Sequence, residues 1–559
     1  MNLRSITLFS LLTACSATAQ AQPLPVHQLE QQLQKSIAKV YPACVRMWGY
    51  DTVTHQQNSA QFSGVVVTAN GLIYTAAHTI VPDHIYKVFF PDGREALGRG
   101  LGKITVPDSC RVPDVAVMQL LTPGPWPYAP AGNDAALQTN TPCFGISYPE
   151  TLNQALPCVR FGYITYPFDE WGYVQNTCKM EPGDSGGPLF DINGRVIGLH
   201  SRVTNPETIN CEVPVNNYYT YFNALQQPVT YTSLPAADTL QPPHLATEAA
   251  YSELPALDAV LTAALPQQAA YCVQVSSRLQ GKTQTIIATP LAGDWLPAGY
   301  KGPYKKLFIT KSSMTGSDVV VTLANNKTVK ATVLARDSAS DLVLLGANNK
   351  TGNGIAIAAA SMDTISFEQQ GRFLYSPLPG HTGRASVLSS RYITQPRAYS
   401  IGFFGVGAHF INNNITLVRF HPQSPANGIL QAGDVITAIQ HVPVTQPEHY
   451  GRELSRYNPG DTVILEGRRD TVLFEKKVVL TTRPASDHPA ELFAGGKSIR
   501  LDGFEKVFAH DAVLRPEQCG GPVFDRQGRF LGINIARFSR TACLAIPAPV
   551  IKTFITSAL

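Results

Sequence analysis

Two ten-residue stretches, EPGDSGGPLF at 181–190 and RPEQCGGPVF at 515–524, repeat one glycine loop within a chain of 559 residues. Paired glycines before a Pro-apolar run mark a backbone bend that only a surrounding frame can hold. The frame repeats as well. HQLEQQLQKSIAKVYPACV (27–45) is matched by ELPALDAVLTAALPQQAAYCV (253–273), each an apolar helical pattern running into a cysteine-bearing strand. GLIYTAAH (71–78) parallels KLFITKSS (306–313), and VPDVAVMQL (112–120) parallels ASDLVLLGA (339–347). FGISYPETLNQALPCVRFGYITYP (144–167) parallels FLYSPLPGHTGRASVLSSRYITQP (373–396). DINGRVIGLH and DRQGRFLGIN follow the two loops, and CEVP (211–214) parallels LAIP (544–547). The order is the same in both halves, so the chain is a duplication and must fold as two versions of one domain.

Length and composition agree. A chain this long exceeds one hydrophobic core. With 43 Gly and 42 Pro the pattern favours short strands joined by turns. The net charge of +4 is small for this length and gives no reason to expect a nucleic-acid partner. Residues 1–21 read as a targeting segment: Arg4, then an apolar run from Ile6 to Leu12 too short to span a bilayer. Two cleavage readings stand side by side. LTAC (12–15) resembles a bacterial lipobox, which implies a lipid anchor on Cys15. ATAQAQ offers ordinary cleavage after Ala19 or Ala21. The expected location is therefore the periplasm or outer membrane, as a lipoprotein, or outside the cell as a secreted protein. Nine further cysteines remain, an odd number. Cys143 and Cys158 flank one predicted hairpin and are the expected bridge.

The halves differ in one spacing. About ninety extra residues separate YITQP from the second glycine loop. Residues 398–484 contain IGFFGVG (401–407) and SPANGILQAGDVI (424–436), and close on a strand pair in VILEGRRDTVLFEKKVVLTTRP (463–484). This stretch resembles a PDZ domain. The resemblance implies that Phe403, Phe404, Gly405 and Val406 hold the C-terminal carboxylate of a peptide ligand. Residues 226–252, rich in Pro, Ala and Thr, read as a linker. The expected organisation is 27–225 for the first copy, and 253–397 with 485–559 for the second, interrupted by the insert.

The first copy carries the parts that attack on an amide requires. These are a nucleophile, a base, a group that orients the base, and donors for the oxyanion. His78 ends an apolar strand. Asp114 opens another and can fix the imidazole tautomer. Ser185 sits in the glycine turn, where the N–H groups of Gly183 and Ser185 can converge as an oxyanion hole. Each residue alone is weak evidence, since a histidine after a strand is more often structural. The ordered set is a far stronger signal.

On these motifs, residues 40–225 resemble a chymotrypsin-fold serine protease of the PDZ-bearing HtrA type. The resemblance implies an all-β-dominated fold: two chymotrypsin-like double β-barrel domains, with the PDZ domain inserted in the second. It carries catalytic roles to His78, Asp114 and Ser185. Two features depart from the HtrA pattern. Asp184 stands where Asn precedes the serine, leaving its partner open, and the PDZ domain interrupts the second copy instead of following the protease. His200, fifteen residues past Ser185, matches the histidine of glutamyl endopeptidases. With Lys179 it gives the expectation of a specificity pocket for an acidic P1 side chain. In the second copy His78, Asp114 and Ser185 become Ser313, Asp341 and Cys519. A thiol without a histidine lacks its base, so this half reads as a pseudoprotease.

The reading is an exported serine endopeptidase acting on protein or peptide substrates, whose second half and insert bind substrate or partner. The alternative is a non-catalytic envelope scaffold or chaperone. No metal-ligand or phosphate-loop spacing occurs, so no cofactor is implied.

Overall fold

The computed structural model describes residues 26–152, 154–204, 206–243, 257–323, 325–348, 353–484 and 488–559. The signal segment, with Cys15, lies outside them. The described residues are strand-dominated and form four curved sheets plus a separate fifth.

In the first copy, six strands between 44 and 120 wrap into a barrel. Closure depends on Glu95–Ile104, which pairs with Ile85–Phe89 on one side and Val115–Leu120 on the other. Its residues alternate strictly between buried and more exposed, as a strand with one face on a core requires. Six more strands, from Pro142–Ser147 to Asn210–Pro214, close a second barrel. The second copy repeats both sheets with interruptions. Its first sheet ends in Thr328–Lys330 and Thr332–Asp337, separated only by Ala331, so the long bridging strand is broken in the middle. Its second sheet is assembled from strands at 373–395 and 504–547.

Between those two stretches lies the fifth sheet, spanning Val406–Ile411 to Val472–Val479, with the helix Pro447–Leu454 beside it and its own apolar core. Its entry and exit are tied together. Phe403 and Thr481 exchange backbone hydrogen bonds, and the carboxylate of buried Asp502 accepts from the N–H groups of Ala398, Tyr399 and Ser400.

The copies are joined through polar groups as well as apolar ones. The helix Val26–Val40 buries Leu29, Leu33, Ser36, Ile37 and Val40 on one face. Its buried Glu30 crosses to the second copy, accepting from Phe373 N at 2.7 Å and Arg526 Nε at 2.9 Å. Asp511 of the second copy lies between equivalent strands of the two halves. Its two oxygens accept from Phe161 N at 2.9 Å and Val387 N at 2.7 Å.

Two expectations need correction. The segment 226–243 is not a free linker. Thr230–Tyr231 adds a parallel strand to the first sheet beside Lys103 and Ile104, and Asp238 bonds back to Asn223. Two residues are too short a run to register as a strand in sequence. Cys143 does not face Cys158: in the hairpin Cys143 pairs with Gly162, and Cys158 with Ser147. The nearest sulfur to Cys143 is that of Cys178, at 3.9 Å, and none of the nine described cysteines is in a disulfide.

Because Asp511 satisfies one buried N–H from each half, Asp511→Ala should cost about 2–4 kcal/mol by orphaning both. A thermal melt followed by near-UV dichroism checks this. An unchanged midpoint would show that the halves do not depend on it.

Candidate active site

His78 lies on a short 3₁₀ turn after Leu72–Ala76, and Asp114 immediately precedes Val115–Leu120, the neighbouring strand. Asp114 takes a left-handed backbone conformation, φ +52°. This turns its carboxylate back over the histidine. Oδ1 accepts from His78 N at 2.8 Å, and Oδ2 lies 2.7 Å from His78 Nδ1. Ser201 Oγ donates to the same Oδ2 at 2.5 Å. The imidazole is half exposed while the carboxylate is mostly covered. Nδ1 is therefore committed and Nε2 is left for the cleft. Sequence reasoning did not single out Ser201. Arg111, close in sequence, turns away: it donates to Asp169 O and stacks over Phe168.

His78 and Ser185 line one cleft of about 440 Å³, together with Met180, Gly183 and Ser201–Val203. The loop carrying Ser185 is held on every side. Ser63 of the first barrel clamps it twice, donating N–H to Ser185 O at 2.9 Å and Oγ to Gly183 O at 2.7 Å. The backbone of His200 pairs with Gly186 and Gly187. Gly186, at φ +78°, has no room for a side chain, since a Cβ would sit 2.0 Å from Thr75 Oγ1. Glu150 N donates to Pro182 O at 2.8 Å. In a planar trans peptide this fixes the Gly183 N–H on the opposite side. Among the described residues, neither Gly183 N nor Ser185 N donates to a protein atom, as an oxyanion hole requires.

The partner of Asp184 is Arg160. Both are buried, with Arg160 Nη1 2.7 Å from Asp184 Oδ2. Ser147 Oγ donates to Asp184 Oδ1 at 2.8 Å, and Glu181 N to Oδ2 at 2.8 Å. An internal guanidinium thus meets the buried carboxylate. A charge within the apolar run CVRFGY was the available signal.

The two expected specificity residues do not reach the cleft. The strand Val196–Val203 is bulged between His200 and Arg202, leaving Ser201 as the extra residue; Ser201 turns toward Asp114, while His200 turns into the barrel. It is 1% exposed, and its Nδ1 lies 2.8 Å from Glu212 Oε2 on the adjoining strand. Asn176 Nδ2 donates to the same carboxylate at 2.7 Å. His200 is thus held by Glu212 and is not among the residues that line the cleft with Ser185. Lys179 lines a separate cavity of about 300 Å³ between the copies, with Glu207 and Asp511. Burial, then nearby Arg537, pushes its ammonium down to about 8. The residues expected to hold a peptide carboxylate are partly committed. Phe403 N donates to Thr481 O, Phe404 is in the insert's core, and the Phe404 and Gly405 carbonyls accept from Ser424 and His421. Gly405 has φ +69°, and Val406 starts an edge strand whose carbonyl accepts from Tyr450 OH at 3.4 Å.

The corresponding place in the second copy keeps the backbone and loses the chemistry. Asp341 has φ +58° and holds Ser313 as Asp114 holds His78, through Ser313 N at 2.7 Å and Oγ at 2.8 Å. Lys311, fully buried, stands 3.3 Å from Asp341. Cys519 is buried, and burial pushes its thiol up to about 12. Its N–H is spent on Pro516 O at 3.2 Å, so the counterpart of the free Ser185 N–H is lost. The chain's own segment closes this cleft. Ser498 N donates to Arg537 O at 2.9 Å, Ser498 Oγ lies 4.0 Å from Cys519 Sγ, and Arg500 O accepts from Lys311. The 498–500 segment thus fills the place beside Cys519 that is open beside Ser185.

Two measurements follow. Arg160→Met should cost about 3–5 kcal/mol by stranding the Asp184 charge, and Arg160→Met/Asp184→Asn should recover much of it. Denaturant titration checks this, and equal single and double values would deny the pairing. The second concerns His510, which burial pushes down from 6.5 to about 4. The unfolded chain takes up this proton near pH 6.5 and the folded one only near 4. Stability from the neutral imidazole is therefore present above 6.5 and is lost as pH falls to about 4, by about 3 kcal/mol. His510→Gln should flatten that stretch of the stability–pH curve, and an unchanged slope would count against it.

Residues 62–199 match the family described as a trypsin-like peptidase domain. The chain is 29% identical over 148 residues to bovine "Serine protease HTRA2, mitochondrial", covering 25% of this chain and 31% of that protein. It is 27% identical over 158 residues to "Probable periplasmic serine endoprotease DegP-like" of Brucella suis, covering 27% and 29%. The chain thus spans about a third of the length of these relatives. Among solved structures, an HtrA-type protease with a tripeptide aligns over 81% of this chain and 97% of its own. That match has 14% identity and a TM-score of 0.29, too low for the arrangements to be compared. Residues 62–199 are thus similar in sequence to the trypsin-like peptidase domain of the HtrA-type serine proteases.

Proposed function

We propose that the chain is an exported serine endopeptidase with one working site, formed by His78, Asp114 and Ser185. The observation that carries the reading is the fixed His78–Asp114 pair facing the same cleft as Ser185 and two uncommitted N–H groups. In this reading Ser185 Oγ attacks the scissile carbonyl and His78 Nε2 accepts its proton. Gly183 and Ser185 N–H receive the developing oxyanion. Asp114 keeps Nδ1 protonated and stabilises the imidazolium. His78 then returns the proton to the leaving amine, and water, deprotonated by the same nitrogen, releases the acyl group from Ser185.

Met180 and Val203 line the cleft beside Ser185. Arg202 on the same wall is held by Asp108 and Tyr173, so Met180 and Val203 are taken to favour an apolar P1 side chain. Export, either as a lipoprotein through Cys15 or as a free protein, is supported by the N-terminal segment and by the periplasmic name of the Brucella relative. In the scaffold alternative, the two uncommitted donors have no use.

Hydrolysis of quenched peptides bearing Val or Glu at P1 tests the reading. Ser185→Ala should abolish turnover, and Asp114→Asn should lower kcat by about 10⁴-fold through the wrong tautomer. Cys519→Ala should leave both parameters unchanged. Turnover that survives Ser185→Ala would sink the proposal, and a Glu preference would sink the apolar assignment.

A further inference from the structure

The turn between Phe530–Arg537 and Cys543–Pro547 belongs to the second copy, yet its tip is buried. Ser539, Arg540 and Thr541 are each no more than 2% exposed. The tip is rigid. Phe538 N and Ser539 N both donate to Ala542 O, and buried Arg537 donates from Nη2 to Arg540 O at 2.8 Å.

Two side chains reach from it into the first copy. The guanidinium of Arg540 donates to Thr204 O at 3.3 Å, Glu207 O at 2.9 Å and Asn210 Oδ1 at 3.2 Å. These residues shape the bend that follows Ser201–Val203, one wall of the cleft. Thr541 Oγ1 donates to Glu181 Oε2 at 2.8 Å. Glu181 opens the nucleophile loop on the opposite wall. Its N–H goes to Asp184 Oδ2 at 2.8 Å, and its carbonyl takes Asp184 N at 3.1 Å. Its other carboxylate oxygen accepts from Thr151 Oγ1. A buried carboxylate that accepts from Thr151 and Thr541, with Ser539 of the same turn beside it, is fixed in place, and removing the Thr541 donor weakens that hold.

We infer that Arg540 and Thr541 are positioning residues for the first copy's cleft, so that one turn of the second copy holds both cleft walls and aims the Gly183 and Ser185 N–H groups. The inference rests on the endopeptidase reading for its kinetic consequence, but the loop-holding itself does not. The second copy, with its own cleft closed, then acts as a built-in brace for the first.

The test uses the full-length mature protein and two substitutions, Thr541→Val, which keeps shape and loses the donor, and Thr541→Ser, which restores it. Peptide turnover and amide exchange of the 180–187 segment are measured in parallel. Thr541→Val should lower kcat about tenfold or more, with KM changed less than about twofold. Exchange at 180–187 should speed by a similar factor. Thr541→Ser should restore both. Wild-type kcat and exchange in Thr541→Val would overturn the inference, as would loss in both variants alike. If the wild-type protein turned over no peptide while exchange followed this pattern, the brace would stand and the endopeptidase reading would fall.

Discussion

The first copy's site depends on one buried charge. Asp184 has no access to water, so its carboxylate must be met from within. Arg160, Ser147 and the N–H of Glu181 meet it. These contacts draw the loop inward and leave Gly183 at φ +95°, a conformation that favours glycine. The carbonyls then bond outward to Ser63 and Glu150, and the two N–H groups face the cleft without partners. The second copy shows the loop without this charge. Gln518 replaces Asp184, and the arginine that the hairpin register places at the station of Arg160, Arg384, is half exposed and faces Asp258 instead. Without the ion pair the loop is a short 3₁₀ turn, and Cys519 N is consumed by Pro516 O.

The two halves are chemically unequal. The left-handed aspartates, φ +52° and +58°, survive in both. They belong to the fold, since each accepts backbone N–H groups from the neighbouring turn whether or not a histidine is present. What was lost is the set of groups that only chemistry needs. Lys311 neutralises Asp341, the thiol is buried, and the 498–500 segment lies where a substrate would. The second copy presents Arg540, Thr541 and Asp511 to the first.

The sequence was most informative where function requires a particular residue type in a local pattern. His78, Asp114 and Ser185 were legible from TAAH, PDVAV and GDSGG, and Ser313 and Cys519 announced the altered copy. It was least informative where a side chain's meaning depends on which face of a strand it occupies. His200 and Ser201 are adjacent, and only register decides that the serine meets Asp114 while the histidine meets Glu212. Arg160 and Lys179 are both cations near the nucleophile loop, but one is ion-paired and the other lines the cavity between the copies. Thr541 and Glu181 are 360 residues apart, a contact no local pattern can announce.

The central claim is that one chain with two nucleophile loops has one competent site. The most direct measurement is to treat the mature protein with a fluorophosphonate and locate the adduct by mass spectrometry. The account predicts a single adduct, on Ser185, with Cys519 and Ser313 unmodified. An adduct in the second copy, or none on Ser185 in the folded protein, would contradict it.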